Sequence, residues 1–363
     1  MNHKAVLMAA IALVAILAII PSDTSEGART IEVEDGLDNE FIFDGPVDKV
    51  ISIGKGVSAT VIEVGAVDKI VVTDKFTATD SSDVFKPLQD RIKSGDVAAG
   101  GNIYSSGREQ LKTDIIDAAD NGFDITKDVV LITGSNQYRA PIVSFLQEKG
   151  FKYILQWNDI VEYDDIEEFA ETVSLVCTGS IDASISNLDY VPDHIEDVLE
   201  NNHAAKAEAF YVTYSGNTFK VGNTGSLANS MIYAAGGVSI TTDSSITETT
   251  YAANLTDLVA SHPNAIIFAD NTLTSNAEHM SDLRRAVGND VQIVPLKGLW
   301  NNYCIESIDG VWTMACAMYP DYFEGDVPSA PGSDDKSIVM YAAVGVVVVA
   351  VIGAGAFFFL RKP

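Results

Sequence analysis

Positive charge is scarce in this chain of 363 residues. Lysine and arginine number 23 in all, whereas aspartate and glutamate number 51, so the formal net charge is -28. Proteins bind nucleic acid by neutralising its phosphates with lysine and arginine, and the chain has no basic cluster. We therefore expect no nucleic-acid partner. The excess of acids is expected to favour solubility, with steering of charged ligands as a second interpretation.

Cysteines and recognisable catalytic motifs are also few. The cysteines are Cys177, Cys304 and Cys316, and this odd number permits one disulfide and one free thiol outside the cell. Cys304 and Cys316 could pair or could both stay free. There is no HExxH, CxxC, GxGxxG or P-loop sequence, and no nucleophile-elbow pattern around a serine. No two of the five histidines have helical ligand spacing, so we predict no enzyme activity, no metal site and no cofactor.

Two uncharged apolar runs stand near the ends of the chain. Lys4 precedes the run from Ala5 to Ile20, so residues 1–28 are predicted to be a signal peptide or an uncleaved N-terminal anchor. Residues 338–360 carry no charge and are long enough to span a hydrocarbon core of about 30 Å as a helix. Arg361 and Lys362 follow this run. The positive-inside rule then places the preceding chain outside the cell, anchored by a C-terminal transmembrane helix.

Between these runs, short apolar strands alternate with helices. Val129 to Thr133 is typical of a buried strand, and the segment from Ala140 to Lys149 has helical spacing. This alternation predicts parallel sheets covered by helices on both faces. Residues 164–207 differ because they contain no convincing strand and their apolar residues have helical spacing. The predicted fold is α/β, with two α/β lobes at 46–160 and 208–324, a long helical connector at 161–207 and a stalk at 325–337.

Short sequence patterns between residues 48 and 323 match those of a known family in order and spacing. The matching positions are Asp48, Val50, Ser52, Ser58, Ala59, Thr60, Glu63, Gly65, Lys69, Val71, Gly100, Gly101, Ala234, Ala235, Gly236, Gly237, Val259, His262, Pro263, Ala265, Ile266, Tyr319, Pro320 and Phe323. Together they resemble the helical-backbone (class III) periplasmic binding proteins, which capture iron-siderophores, haem and cobalamin for ABC importers. The resemblance implies a solute held in a cleft between the lobes and delivery of that solute to a permease.

The loops that follow the strands are expected to line this cleft, because ligands of α/β sheets bind at the carboxyl ends of the strands. These loops carry aromatic and amide groups that suit a large, flat, semi-polar solute. Arg139 could pair with a carboxylate or propionate of the solute. The predicted ligand-binding residues are Asn102, Tyr104, Asn136, Tyr138, Arg139, Tyr214, Asn271, Trp300 and Tyr303.

The resemblance also implies that each lobe docks onto the permease through an acidic residue. The corresponding positions are Glu109 or Asp114 in the N-terminal lobe and Asp257, the nearest acid, in the C-terminal lobe. The expected function is capture of cobalamin, haem or a ferric siderophore at the cell surface for an ABC importer. The alternative is a membrane-tethered receptor or storage protein of the same fold without an ABC partner.

Overall fold

The computed structural model describes residues 30–331. The predicted segments at 1–28 and 338–360 lie outside this range, as does the second half of the predicted stalk. Within residues 30–331, no helix combines the length and the apolar character needed to cross a membrane. The three cysteines all fall in this range and are free thiols, so Cys304 and Cys316 are not paired in the structure.

An antiparallel hairpin, which the sequence analysis does not predict, precedes the first lobe. It consists of β1 (Ile31–Glu34) and β2 (Glu40–Phe43). The Asp35 carboxylate joins this hairpin to the N-terminal lobe. One of its oxygens accepts the N–H groups of Leu37 and Asn39 in the hairpin turn. Its other oxygen accepts the N–H of Gln156, at 3.0 Å.

The N-terminal lobe is a four-stranded parallel sheet covered by helices. Its strands, in the order β4-β3-β5-β6, are β3 (Val50–Ile53), β4 (Ile70–Thr73), β5 (Val129–Thr133) and β6 (Tyr153–Trp157). Its helices are α1 (Lys55–Glu63), α2 (Lys75–Ala78), α3 (Lys86–Ser94), α4 (Arg108–Asp120) and α5 (Asn136–Glu148). Every residue of β3 and β5 is buried. This explains why these strands are mostly apolar and do not alternate between apolar and charged residues.

Two helices form the connector. They are α6 (Asp165–Thr178) and α7 (Asn187–Asn201), with a 3₁₀ turn at Ala183–Ser186 between them. The buried stripe of α6 includes the residues that the spacing indicates, among them Ile166, Phe169 and Val173. Gly179 ends α6 in the left-handed region, with φ of 80°. Pro192 lies inside α7 without ending it.

The C-terminal lobe is a six-stranded mixed sheet. Its strands are β7 (Glu208–Ser215), β8 (Thr218–Gly222), β9 (Val238–Ser239), β10 (Thr250–Ala252), β11 (Ile266–Ala269) and β12 (Ile293–Pro295). The order is β10-β8-β7-β11-β12, with β9 also beside β7. The accompanying helices are α8 (Leu227–Ala234), α9 (Leu255–Ser261), α10 (Asn271–Thr274), α11 (Ala277–Val287) and α12 (Ser307–Met318).

In the C-terminal lobe the predicted parallel pairing is confirmed for β7, β11 and β12 but does not hold for β8. β8 runs antiparallel to both β7 and β10. The cause is the two-residue turn Gly216–Asn217, where both residues have positive φ, at 63° and 61°. A turn with two positive φ angles matches the twist of antiparallel strands and reverses the chain at once.

The lobes also meet directly, along a seam beside the connector. The Glu63 carboxylate at the end of α1 accepts the N–H of Ile305 at 3.0 Å and that of Glu306 at 2.8 Å, just before α12. Burial raises the pKa of Glu63 to about 7, against the opposing effect of these two hydrogen bonds. The Tyr303 hydroxyl donates to Oγ1 of Thr133 at 3.0 Å, across the same seam.

The connector concentrates negative charge. Glu167 on α6 is half-buried. Its partial burial and its repulsion by Asp189, Glu171 and Asp193 raise the pKa of Glu167 to about 7. The folded chain therefore binds this proton more tightly than the unfolded chain does. Ionisation of Glu167 lowers the free energy of unfolding as the pH rises from about 4.5 to about 7.

Glu167→Gln is expected to raise the Tm at pH 8 by about 2 °C and to leave it nearly unchanged at pH 5. The substitution removes a charge that its neighbours repel, and only the higher pH ionises that group in the folded chain. Calorimetry at both pH values makes the measurement. Glu148→Gln, at the exposed end of α5, should change the Tm equally at both pH values. An unchanged Tm for Glu167→Gln at pH 8 contradicts this account.

Gly56→Ala is expected to lower the free energy of unfolding by about 1–3 kcal/mol. A Cβ at position 56 would overlap the carbonyl oxygen of Asn302 and the ring of Tyr303, so the two lobes would have to separate. Urea unfolding provides the measurement. In the matched control, Gly298→Ala, the new Cβ meets nothing closer than the Asn271 side chain at 3.7 Å. Equal losses for the two variants would show that the seam is not tightly packed.

Candidate functional site

A cavity of about 540 Å³ opens between the lobes, at the carboxyl ends of the N-lobe strands. The N-lobe contributes most of its lining, including Gly54 after β3, Asp74 after β4 and Gly134 after β5. The C-terminal lobe contributes Asn302 and Tyr303. The cavity therefore lies where α/β sheets usually bind ligands, with the opposite lobe as its second wall.

Three aromatic residues form what we call the aromatic shelf: Phe76, Tyr104 and Tyr138. The ring of Tyr104 meets that of Phe76 at 5.7 Å and that of Tyr138 at 4.7 Å between centroids, both edge-on. Phe76 and Tyr104 line the cavity and are 48% and 42% exposed. Partial burial raises the pKa of Tyr104, so its hydroxyl stays neutral. The shelf thus offers uncharged π-faces to a solute in the cavity.

Asp74 positions the start of the shelf. One of its carboxylate oxygens accepts the N–H groups of Phe76 and Thr77 and thereby caps α2. The other accepts the N–H of Gly54 at 2.9 Å and the Thr77 hydroxyl at 2.7 Å. Because all these contacts are with the protein itself, Asp74 fixes the loops at the cavity floor while adding a negative charge to the lining.

The remaining charges of the lining are those of Lys55 and Asp159. Nζ of Lys55 lies 2.5 Å from an oxygen of the Asp80 carboxylate, so its charge is already paired. Desolvation raises the pKa of Asp159, although the charge of Arg139 opposes this effect. The described part of the cavity therefore presents no unpaired cation.

Arg139 is not among the residues that line the cavity. Its side chain is buried, and Nη1 donates to the carbonyl oxygens of Gly134, at 2.9 Å, and Trp157. Nη2 donates to Oδ1 of Asn158 at 3.2 Å. The guanidinium therefore joins the loop after β5 to the end of β6, and the structure does not direct it toward a solute.

The other predicted ligand residues fall into two groups. Asn102, Tyr104 and Tyr303 line the cavity, and Tyr138 supports Tyr104 from behind. The residues that do not line it are Asn136, exposed at the start of α5; Tyr214, packed 3.9 Å from the His279 ring; Asn271, exposed at the start of α10; and Trp300, buried with Lys297 5.1 Å from its ring. A ligand-binding role remains a prediction for all nine residues.

Sequence reasoning missed Lys55, Phe76 and Asp159 as cavity residues. Each follows the carboxyl end of a strand by two or three residues, at β3, β4 and β6 respectively. The rule that selected Asn136 would have selected these positions as well. The Gly54-Lys55-Gly56 loop lacks the spacing to cradle a phosphate, but Gly54 and Lys55 line the cavity.

The predicted docking acids differ in availability. Glu109 is exposed on α4, and Lys112 is its ion-pair partner at 2.9 Å. Asp114 is buried and accepts the N–H groups of Gly100 and Gly101. Oδ2 of Asp257 is exposed at the start of α9 and accepts Nδ2 of Asn254 at 2.6 Å.

A larger groove of about 1020 Å³ runs between the connector and the C-terminal lobe. Its lining is rich in carboxylates, including Asp189, Asp193, Glu196 and Glu200. Within residues 30–331, no three His, Cys, Asp or Glu side chains are grouped so as to hold a metal ion. The inter-lobe cavity, with its aromatic shelf, is thus the better candidate for a solute site.

No family model matches the sequence, and no curated protein matches it either. Solved structures match its fold. Helicobacter pylori CeuE with Ni(II) bound has 15% identity and a TM-score of 0.59, covering 82% of this chain and 91% of that one. A periplasmic haem-binding protein from Pseudomonas aeruginosa has 13% identity and a TM-score of 0.56, over 78% and 96% of the two chains. The TroA-like protein FepB from Veillonella parvula has 14% identity and a TM-score of 0.58, over 81% and 91%. This chain therefore has the two-lobe α/β fold of these periplasmic binding proteins.

Proposed function

We propose that this protein is the solute-binding component of an ABC importer and that it holds a metal chelate in the inter-lobe cavity. The chelate is cobalamin, haem or a ferric siderophore. The observation that carries the proposal is the aromatic shelf, because Phe76 and Tyr104 expose large rings beside a cavity between two lobes. Exposed aromatic surface next to a concave site is typical of ligand binding.

The size of the cavity and the fold both support this function. A volume of about 540 Å³ falls within the range of small-molecule sites. The neighbours in fold include a protein with Ni(II) bound and a haem-binding protein. An organic ligand of a metal ion offers the apolar faces that the shelf can contact, whereas a bare ion would need a set of ligating side chains.

The connector and the seam favour binding with little motion of the lobes. α6 and α7 pack against both lobes, and Glu63 ties α1 to the segment before α12. A hinge of packed helices moves less than a hinge of extended strands. In this proposal the segments at 1–28 and 338–360 bring the lobes outside the cell and hold them there. Such a tether would raise the effective concentration of the protein at the permease.

The alternative is a receptor or storage protein of the same fold without an ABC partner. The state of the docking acids favours it. Asp114 is buried in a hydrogen-bond network, and Asp257 is engaged by Asn254. Glu109 and Asp257 each have one side-chain partner, Lys112 and Asn254 respectively.

Tyr104→Ala is expected to weaken chelate binding about tenfold, because it removes the central ring of the shelf. Tyr104→Phe should bind like the parent, because the ring contacts remain. The full-length chain is titrated with cyanocobalamin, haemin and ferrichrome while tryptophan fluorescence is followed. The matched control is Tyr322→Ala, which removes a tyrosine that is 43% exposed and does not line the cavity. No fluorescence response of the parent to any of the three chelates contradicts the proposed function.

Glu109→Lys is expected to weaken coupling to the permease about tenfold without changing chelate affinity, since Glu109 lies outside the cavity. The readout is chelate-dependent ATPase activity of the importer reconstituted with the full-length chain. Asp120→Lys makes the same charge change at the far end of α4 and should leave the activity unaffected. If no permease responds to the parent protein, the receptor or storage function gains support instead.

A further inference from the structure

We infer that the inter-lobe cavity selects neutral or cationic chelates and rejects anionic ones. This inference rests on the proposed function, since it concerns which members of the chelate class the same cavity accepts. It depends on the charges that line the cavity and on the protein groups that already bind the neighbouring cations.

The lining has an excess of negative charge. Among the described residues that line the cavity, Asp74 and Asp159 are acidic and Lys55 is the only cation. Nζ of Lys55 lies 2.5 Å from a carboxylate oxygen of Asp80, whose side chain is partly buried. These four groups together carry two negative charges. A carboxylate or catecholate entering the cavity would therefore meet repulsion rather than a free ammonium group.

Three of the cations near the cavity are also committed to other partners. The Arg139 guanidinium binds three oxygen atoms of the protein and is buried. Nε of Arg108 donates to the carbonyl oxygen of Ile103 at 3.2 Å. Nζ of Lys297, on the C-terminal lobe, lies 4.0 Å from the Glu306 carboxylate. The Asp83 carboxylate attracts it as well. None of these three residues lines the cavity.

A charged solute loses part of its hydration in a cleft, and groups of the protein must compensate for that loss. An anion finds no unpaired donor of positive charge in this cavity, so its desolvation is uncompensated. A cation gains from Asp159 and Asp74. In water, two unit charges about 7 Å apart, one on the solute and one on the protein, change the binding constant about threefold. The net charge of -28 adds repulsion of anions at longer range, and salt weakens both effects.

The aromatic shelf does not oppose this selection, because the contact of a π-face with an apolar surface depends little on net charge. A chelate with a flat apolar face and a positive charge gains from both features, since cations are also attracted to aromatic faces. The predicted solute is therefore a ferric trishydroxamate, a corrinoid or an esterified porphyrin-like chelate without free carboxylates.

The experiment offers each type of chelate in forms that differ in charge and otherwise share the same metal-binding core. Ferrioxamine B carries a free amine, its N-acetyl form is neutral, and its N-succinyl form carries a carboxylate. Haemin is compared with its dimethyl ester, and cyanocobalamin with its monocarboxylate. Affinities for the full-length chain are measured by fluorescence titration at low ionic strength. We expect affinity to fall about threefold for each added negative charge and the differences to shrink at high salt.

Asp159→Asn is expected to reduce the preference for the cationic form over the neutral form about threefold. The control is Asp120→Asn, which makes the same change at the end of α4 farthest from the cavity and should leave the preference unaltered. Equal or tighter binding of the anionic form in every series overturns this inference and leaves the proposed function intact. The absence of binding by all these chelates overturns both.

Discussion

The geometry of the cleft depends on the two hydrogen bonds that the Glu63 carboxylate accepts from Ile305 and Glu306. They join the last residue of α1 to the segment that leads into α12, so the lobes are bound directly as well as through the connector. Gly56 allows the backbones to approach, because any side chain there would overlap Asn302 and Tyr303. The width of the cavity is thus set where the two lobes meet directly.

The fold could be predicted largely from the sequence because burial leaves a local record. β3 and β5 are covered on both faces, and continuous apolar runs reveal such strands. The apolar spacing of α6 likewise indicated the connector. The mixed sheet of the second lobe was missed, although the Gly216–Asn217 turn is a hairpin signal. The hairpin β1–β2 was missed because its strands are short and acidic, and Gln156, which fixes it, lies far along the chain.

The candidate site was harder to predict than the fold. Strand ends indicated the edge of the N-terminal sheet at which the cavity lies, and Asn102, Tyr104 and Tyr303 line that cavity. The same rule could not show where each side chain points. Arg139 has the charge that a propionate would need, yet buried carbonyl oxygens occupy its guanidinium. Trp300 follows β12 but packs into the core of its lobe. Side-chain direction depends on long-range contacts that spacing does not encode.

Because carboxylates crowd the connector, the stability of the connector depends on the salt concentration around it. Glu167, Glu171, Asp189 and Asp193 repel one another across α6 and α7. Dissolved cations screen such repulsion over a distance of about 8 Å at physiological ionic strength. A saline medium is therefore expected to raise the stability of the connector, and a dilute one to lower it.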